Sequence, residues 1–252
     1  MKKPTLGLCL MVWNELEGCQ KDIPRLPFDH FDDVFAVEGG STDGTVEYLR
    51  QLGVRLVRQT KRGYNWAYIT GFENCNCDAL VFYHPKGTID PQSVLQFRRF
   101  FDEGAHLVVA SRNISGGRNE EDGKLLKPRK WFVSAMALLC ALVWRREGEF
   151  VHDVLHGYRG MTRAAFWAID PLSDGLSMDL QMVVRCYRAK LMRSEFPVRE
   201  NSRTAGETHF RALPTGWKLL KYLWRELFRP APVVKDLSDT TMYPPVKPHL
   251  DR

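Results

Sequence analysis

The stretch EGGSTDGT, residues 38–45, decides the fold class of this chain. It follows the apolar run VFAV and predicts the end of a buried strand, a glycine-rich turn and a helix capped by Asp43 or Thr42. Backbone N–H groups in such a turn can hold a nucleotide, and an acidic strand-end side chain, here Glu38, can accept a hydrogen bond from a base or ribose. A capped turn without any ligand has the same local pattern, so the stretch alone leaves both interpretations open.

The first 110 residues alternate between strand and helix patterns. Strand patterns occupy residues 5–12, 34–38, 54–58, 79–83 and 107–111, and helix patterns occupy 16–23, 45–52, 64–74 and 91–103. Strands separated by single helices predict an α/β fold with a mostly parallel, doubly wound sheet. In such a sheet, ligands bind beyond the carboxyl ends of the strands.

The remaining chain adds further elements without an internal repeat or a clear linker. Its patterns predict helices at 131–144, 178–189 and 217–229 and strands at 157–162 and 191–198. We therefore expect one domain over residues 1–212, followed by an amphipathic helix and a Pro-rich tail over 213–252. We also expect the fold to survive removal of the residues after Pro214.

Composition excludes several classes of protein. Hydrophobic residues make up 44% of the chain and charged residues 26%, which is typical of a globular protein. The six scattered cysteines predict reduced thiols in a cytosolic protein and not a zinc site or a disulfide framework. The N-terminal apolar run lacks a small-residue cleavage site and fits a first strand better than a signal peptide. No apolar run reaches the roughly eighteen residues that a membrane span needs.

The net charge of +6 is concentrated near the C-terminus. Residues 185–229 contain eleven Lys and Arg against four Glu, so this part attracts an anionic partner. No nucleic-acid recognition motif accompanies these cations, and we expect no nucleic-acid partner.

Several stretches, taken in order, resemble one family. They are WNELE (13–17), EGGSTDGT (38–45), GYNWAYITGFE (63–73), FYHPKGTIDP (82–91), ASRNISGG (110–117), DVLHGYRGMTR (153–163) and RTAGETH (203–209). This order resembles the family 2 glycosyltransferases of the GT-A fold, and most closely the dolichyl- or polyprenyl-phosphate sugar synthases. The resemblance covers residues 5–210. It implies a GT-A domain that transfers a sugar, with inversion, from a nucleotide diphosphate donor to a polyprenyl-phosphate-like acceptor.

The resemblance also assigns roles by position. Around the nucleotide it places Asn14, Glu15, Glu38, Gly40, Lys61 and His84. Cations for the donor diphosphate or the acceptor phosphate fall at Arg112, Arg129 and Arg203, with His209 in the same late motif, and acidic groups of the acceptor side fall at Asp153 and Asp179. The planar guanidinium group of arginine suits phosphate because it binds two oxygens at once.

The stretch HPKGT, residues 84–88, departs from the family pattern. Where the family has the Asp-x-Asp that holds Mg²⁺ or Mn²⁺, this chain has His84-Pro85-Lys86, and Gly39 replaces the second Asp of the family's DDG. Hard divalent cations take carboxylate oxygens, and an ammonium group repels them, so no metal cofactor is expected.

Three interpretations of this departure remain open. Lys86 can itself supply the positive charge for the leaving diphosphate, with His84 as a second donor. The chain can also be a non-catalytic protein that binds nucleotide sugars, or its donor can differ from the usual nucleotide diphosphate sugar. We favour the first interpretation because the other positions that handle phosphate match the family.

Two helix patterns indicate where the acceptor comes from. Residues 131–144 are apolar on nearly every face, and residues 217–228 combine a stripe of Trp, Leu and Phe with lysines and arginines. That pattern is typical of helices in a membrane interface, although core helices or a dimer contact have it too. We expect a peripheral protein at the cytoplasmic membrane face with a lipid-phosphate acceptor. A phosphate acceptor needs no general base near neutral pH, whereas a saccharide hydroxyl would need one, with Asp153 or Asp179 as candidates.

Overall fold

The computed structural model describes residues 3–59, 61–202, 212–232, 234 and 237. Its strands are β1 (Leu6–Val12), β2 (Asp33–Glu38), β3 (Arg55–Arg58), β4 (Ala79–Tyr83), β5 (Leu107–Ser111), β6 (Arg159–Thr162) and β7 (Arg193–Pro197). Its α-helices are α1 (Leu16–Asp22), α2 (Thr45–Gln51), α3 (Tyr64–Glu73), α4 (Gln96–Asp102), α5 (Pro128–Trp144), α6 (Arg163–Ala168), α7 (Met178–Arg188) and α8 (Ala212–Phe228). Every predicted element is present, while the short helix α6 was not predicted.

The strands form one seven-stranded sheet in the order β3-β2-β1-β4-β6-β5-β7. β1 lies between β2 and β4 and is parallel to both, whereas β6 pairs antiparallel with β4 and β5. The predicted mostly parallel sheet is therefore confirmed. The reversal of β6 matters for function, because it brings the residues before β6 to the same edge as the carboxyl ends of the other strands.

Helices cover both faces of the sheet. Successive residues of a strand point to opposite faces. In β1, Leu8 and Leu10 belong to the buried cluster on the first face, and Cys9 and Met11 belong to the cluster on the second face. Helices α1, α2 and α4 pack on the first face, and α3, α5, α6, α7 and α8 contribute to the second. All six cysteines are buried and form no disulfide.

Helix α8 shares the core of the domain. Leu219, Tyr222 and Leu223 are buried in the same cluster as α7, and buried Glu226 pairs with Arg185 of α7 at 3.0 Å. Removing α8 would leave the Arg185 guanidinium in the core without this carboxylate. We therefore correct the expectation that the fold survives removal of residues after Pro214.

Candidate active site

A cavity of about 1020 Å³ opens at the carboxyl edge of the sheet. Its wall contains residues that follow β1, β2, β3, β4 and β5, together with residues 155–158 before β6. The first turns of α3, α5, α7 and α8 also border it. The cavity is at the upper end of the sizes that hold drug-sized ligands, so it has room for a nucleotide sugar. It lies at the edge where the sequence predicted the site.

The turns after β1 and β2 form one hydrogen-bonded unit. Asn14 Oδ1 accepts from the backbone N–H of Thr42 at 2.8 Å, and the backbone N–H of Asn14 donates to Ser41 Oγ at 3.0 Å. Gly40, with φ of 97°, adopts a left-handed conformation that favours glycine. Asn14, Glu15 and Gly40 all border the cavity, as the nucleotide-binding prediction requires.

Two predicted nucleotide ligands lie elsewhere. The carboxylate of Glu38 is buried and accepts hydrogen bonds from the backbone N–H groups of Gly40 and Ser41, so it stabilises the turn from behind. The ammonium group of Lys61 lies over the Trp66 ring, 4.2 Å from its centroid. Neither side chain is part of the cavity wall. We therefore expect Glu38 to support the nucleotide only through the turn, and Lys61 to make no direct contact with it.

His84 and Lys86 both border the cavity, directly after β4. Within the described residues, no three His, Cys, Asp or Glu side chains form a group that could hold a metal ion. The donor set at this strand end, an imidazole and an ammonium, also does not fit Mg²⁺ or Mn²⁺, which take carboxylate oxygens. The residues thus do not fit the divalent cation that the fold family implies at this position.

Arg112 lies in the cavity wall between two carboxylates. Its Nε and Nη2 donate to Asp153 at 2.8 and 3.0 Å, and its Nη1 donates to Glu200 at 2.8 Å. Burial opposes ionisation of Asp153, but the Arg112 guanidinium prevails and lowers the pKa of Asp153 to about 2. Burial also opposes ionisation of Glu200, yet Arg112 and Lys86 hold the pKa of Glu200 below its ordinary value.

This geometry corrects the expected role of Asp153. The side chain is fully buried beneath Arg112 and does not border the cavity. A carboxylate with so low a pKa is also a weak base. We therefore expect Asp153 to orient Arg112 and not to contact an acceptor.

Asp179 occupies a different environment at the start of α7. It borders the cavity and accepts hydrogen bonds from the hydroxyls of Tyr64 at 2.7 Å and Tyr68 at 2.9 Å. Burial raises the pKa of Asp179, although Arg159, at 3.3 Å, opposes the rise. Gly157 lies beside this cluster, because a Cβ there would come within 2.8 Å of Tyr64 Oη and 2.7 Å of His84 Nε2. Asp179 is thus a better candidate base than Asp153.

The helices α5 and α8 place cations at the mouth of the cavity. Arg129, in the first turn of α5, borders the cavity and pairs with Glu120 at 2.8 Å. Lys218 of α8 borders it from the other helix. The predicted phosphate ligands Arg203 and His209 lie outside the described residues.

Sequence reasoning missed several cavity residues, namely Trp13, Arg62, His156, Glu200 and Lys218. Trp13 belongs to the quoted WNELE motif and was a detectable candidate, since its side chain is 48% exposed beside the Gly39-Gly40 turn. Glu200 stands in no motif, and only the fold brings it beside Arg112.

Comparison with known proteins agrees with this geometry. Residues 12–170 match the family model of glycosyl transferase family 2. Glycosyltransferase AglJ of Haloferax volcanii is 23% identical over 228 residues, covering 87% of this chain and 71% of the relative. Polyprenol monophosphomannose synthase of Mycolicibacterium smegmatis is 27% identical over 149 residues, which is 54% of this chain and 53% of the relative.

Solved structures show the same fold. Glucosyl-3-phosphoglycerate synthase from Mycobacterium tuberculosis, in complex with Mn²⁺, UDP-glucose and phosphoglyceric acid, superposes with a TM-score of 0.70 and 19% identity. The match covers 90% of this chain and 81% of that one. The family model spans more than half of the chain, and the cavity lies at the carboxyl edge of the sheet, where open α/β folds bind their ligands. The chain therefore belongs to glycosyl transferase family 2, as a glycosyltransferase of the GT-A fold.

Proposed function

We propose that this protein transfers a sugar, with inversion, from a nucleoside diphosphate sugar to a lipid phosphate, with Lys86 in place of a divalent cation. The observation that carries the proposal is the position of Lys86, which borders the cavity at the end of β4 where the family places Asp-x-Asp. In the reaction, an acceptor oxygen forms a bond to the anomeric carbon while the bond from that carbon to the β-phosphate oxygen breaks. The electron pair of that bond leaves with the diphosphate.

The donor side follows from the joined turns. The nucleotide lies over the turns after β1 and β2, where Asn14, Glu15 and Gly40 border the cavity. The half-exposed indole of Trp13 offers a surface on which a base can stack. The diphosphate then extends towards Lys86. An ammonium group held there stabilises the charge that develops on the leaving group, as a metal would.

The acceptor side is supported by the charges at the mouth of the cavity. Arg129 borders the cavity from the first turn of α5, where the partial positive charge of the helix end adds to its own, and Lys218 borders the cavity from the second turn of α8. A phosphate monoester is mostly deprotonated at neutral pH, because its second pKa is about 6. Such an acceptor needs positioning but no base. The similarity to a polyprenol monophosphomannose synthase supports this acceptor class.

Exposed apolar residues before and along α5 and along α8, which we call the apolar surface, support peripheral membrane contact. They are Leu125, Leu126, Trp131, Phe132, Leu138, Leu139, Leu142, Trp217, Leu220, Trp224, Leu227 and Phe228. The N-terminal halves of α5 and α8 are neighbours, since a Cβ on Gly216 would lie 3.6 Å from the Phe132 ring. Exposed cations accompany this surface at Lys124, Arg129, Lys218, Lys221 and Arg225. Clustered aromatic and aliphatic side chains with nearby cations suit an anionic lipid interface.

Within the described part of the chain, no helix combines the length and the hydropathy of a membrane span. The proposed contact is with one leaflet, at the cytoplasmic face, through the apolar surface. A lipid phosphate would reach the cavity between Arg129 and Lys218 with its chain still in the bilayer.

Transfer to a saccharide hydroxyl is the second candidate, and Asp179 favours it. This carboxylate borders the cavity, and burial raises its pKa, which makes it a stronger base than Asp153. With a hydroxyl acceptor, Asp179 would take the proton as the new bond forms. Asp179→Asn separates the two candidates, because it should abolish transfer to a hydroxyl and leave transfer to a phosphate largely intact.

A donor and acceptor screen tests the function. Purified protein in EDTA is incubated with UDP-, GDP-, TDP- or CDP-sugars and with either a polyprenyl phosphate in detergent or an oligosaccharide, and product is followed by mass spectrometry. We expect a glycosylated polyprenyl phosphate, with Lys86→Met as the inactive control. Product only with the oligosaccharide would establish the second candidate. Donor binding without product, both in EDTA and with Mn²⁺ in place of EDTA, would show a non-catalytic binding protein.

A further inference from the structure

We propose that Asp22, at the end of α1, is the positioning residue that fixes Lys86 in the cavity. The inference rests on the proposed function, in which Lys86 meets the donor diphosphate. Asp22 is only 2% exposed, and it lies beneath the turn of residues 84–87. Its Oδ2 accepts the backbone N–H of Gly87 at 2.9 Å and the hydroxyl of Tyr83 at 3.0 Å. One carboxylate oxygen thus holds the residues on both sides of the His84-Pro85-Lys86 segment.

Helix α1 also shapes this turn through Gly18. A Cβ on Gly18 would lie 2.0 Å from the carbonyl oxygen of Pro85 and 2.9 Å from the Cα of Lys86. The helix and the backbone of the turn are therefore in direct contact, which only a glycine permits. Gly87 continues the turn with φ of 68°, in the left-handed region that favours glycine.

The other side of the turn is hydrogen-bonded to the segment that follows β7. The backbone N–H of Asn201 donates to the carbonyl oxygen of Thr88 at 2.8 Å. The backbone that carries Lys86 is thus fixed both by α1 and by the segment after β7. A charge that is already in place when the leaving group develops its charge needs no reorganisation, and this is the condition under which a fixed charge is most effective.

Nucleotide affinity separates positioning from ordinary stability. Uridine and UDP are titrated by calorimetry in EDTA into wild type, Asp22→Ala, Asp22→Asn and Lys86→Met, with guanosine and GDP as the pair if the donor screen selects GDP. Asp32→Ala is the control for a distant carboxylate, because Asp32, whose side chain is 49% exposed, also accepts a backbone N–H, from Leu6 at 2.7 Å, at the opposite end of β1.

We expect Asp22→Ala to bind the diphosphate about tenfold more weakly or worse, with nucleoside affinity unchanged, since small displacements of a positioned group have large effects. Asp22→Asn should recover most of the diphosphate affinity, because its amide oxygen can still accept from Gly87. The Asp32→Ala control should not alter the ratio of the two affinities. In the Lys86→Met background, Asp22→Ala should change diphosphate affinity less than about twofold, because no charge remains to be positioned.

The outcomes distinguish this inference from the proposed function. If Lys86→Met binds the diphosphate as wild type does, the assigned role of Lys86 is wrong. If Lys86→Met binds weakly while folded Asp22→Ala binds normally, only the positioning role is overturned. Should Asp22→Ala not fold, Tyr83→Phe and Gly18→Ala disturb the same contacts, and normal diphosphate affinity in both would overturn the proposal.

Discussion

Lys86 provides the sharpest prediction at the scale of single residues. If its ammonium group replaces a metal ion, transfer should persist in EDTA, and Lys86→Ala should reduce the rate by roughly two orders of magnitude or more. Steady-state rates with and without EDTA measure both effects. Activity that EDTA abolishes would contradict the assignment. The double variant His84→Asp with Lys86→Asp restores two carboxylates and should make activity depend on Mn²⁺.

Replacing Glu38 tests how the turn after β2 is held in place. Its carboxylate accepts hydrogen bonds from the backbone N–H groups of Gly40 and Ser41, so Glu38→Ala leaves a distorted turn. We expect nucleotide binding to weaken by about 1–3 kcal/mol, the usual effect of removing a buried hydrogen-bond partner. Calorimetry measures the change. If Glu38→Ala binds every nucleotide with the affinity of wild type, the turn does not form the nucleotide site.

His156 makes the fold sensitive to mild acid. Burial first, and then the Arg112 charge, lowers the pKa of His156 from 6.5 to about 4. Between these two pH values the unfolded state binds a proton at this histidine and the folded state does not. Neutral His156 therefore contributes its full stability above pH 6.5, and this contribution is lost as the pH falls towards 4. The loss amounts to about 3 kcal/mol in that window. Burial lowers the pKa of His106 too, which adds to the same dependence.

Urea unfolding at several pH values between 7.5 and 4.5 checks this prediction. His156→Asn removes the titration and keeps an N–H that can donate to the Ala110 carbonyl, which His156 contacts at 2.5 Å. The variant should show a clearly shallower decline of stability with falling pH. A decline as steep as that of wild type would contradict the assignment.

At the scale of elements, the contact between α7 and α8 depends on a buried ion pair. Arg185 and Glu226 are each 1% exposed, and removing one partner leaves a buried charge uncompensated. Glu226→Ala should therefore lower the free energy of unfolding by about 3–5 kcal/mol. The exposed pair of Arg99 and Glu103 is the control, and Glu103→Ala should lower the free energy of unfolding far less, because solvent screens this pair. Denaturant unfolding measures both changes. If Glu226→Ala lowers the free energy of unfolding no more than Glu103→Ala does, this role of α8 is wrong.

At the scale of the whole molecule, the apolar surface and its cations predict binding to anionic bilayers. Trp217, Trp224 and Phe228 are each at least 65% exposed, so replacing all three by Ser should spare the core. We expect wild type to sediment with vesicles containing anionic lipid, less at high salt, and the triple variant to remain largely in the supernatant. Replacing Leu52, an exposed leucine after α2, serves as the control. If neither high salt nor the triple substitution reduces vesicle binding, the apolar surface is not the membrane contact.

The sequence by itself determined the elements and the edge of the sheet where ligands bind. Alternating apolar runs and turn residues are local signals, so strands such as β1 and turns such as residues 38–45 could be read directly. The ordered motifs indicated the family, and the replacement of Asp-x-Asp by His84-Pro85-Lys86 was visible from the residues alone. Local pattern was sufficient because the backbone of each element depends mainly on its nearest neighbours in the chain.

Only the tertiary structure decided which charges meet. Arg112, Asp153 and Glu200 come from three separated segments, and their contacts show that Arg112 is compensated and that Asp153 is buried behind it. The antiparallel direction of β6, which brings residues 155–158 to the cavity, and the burial of one face of α8 were equally hidden. Burial and charge pairing depend on contacts between residues far apart in sequence, and a carboxylate acquires its pKa and its role from those contacts.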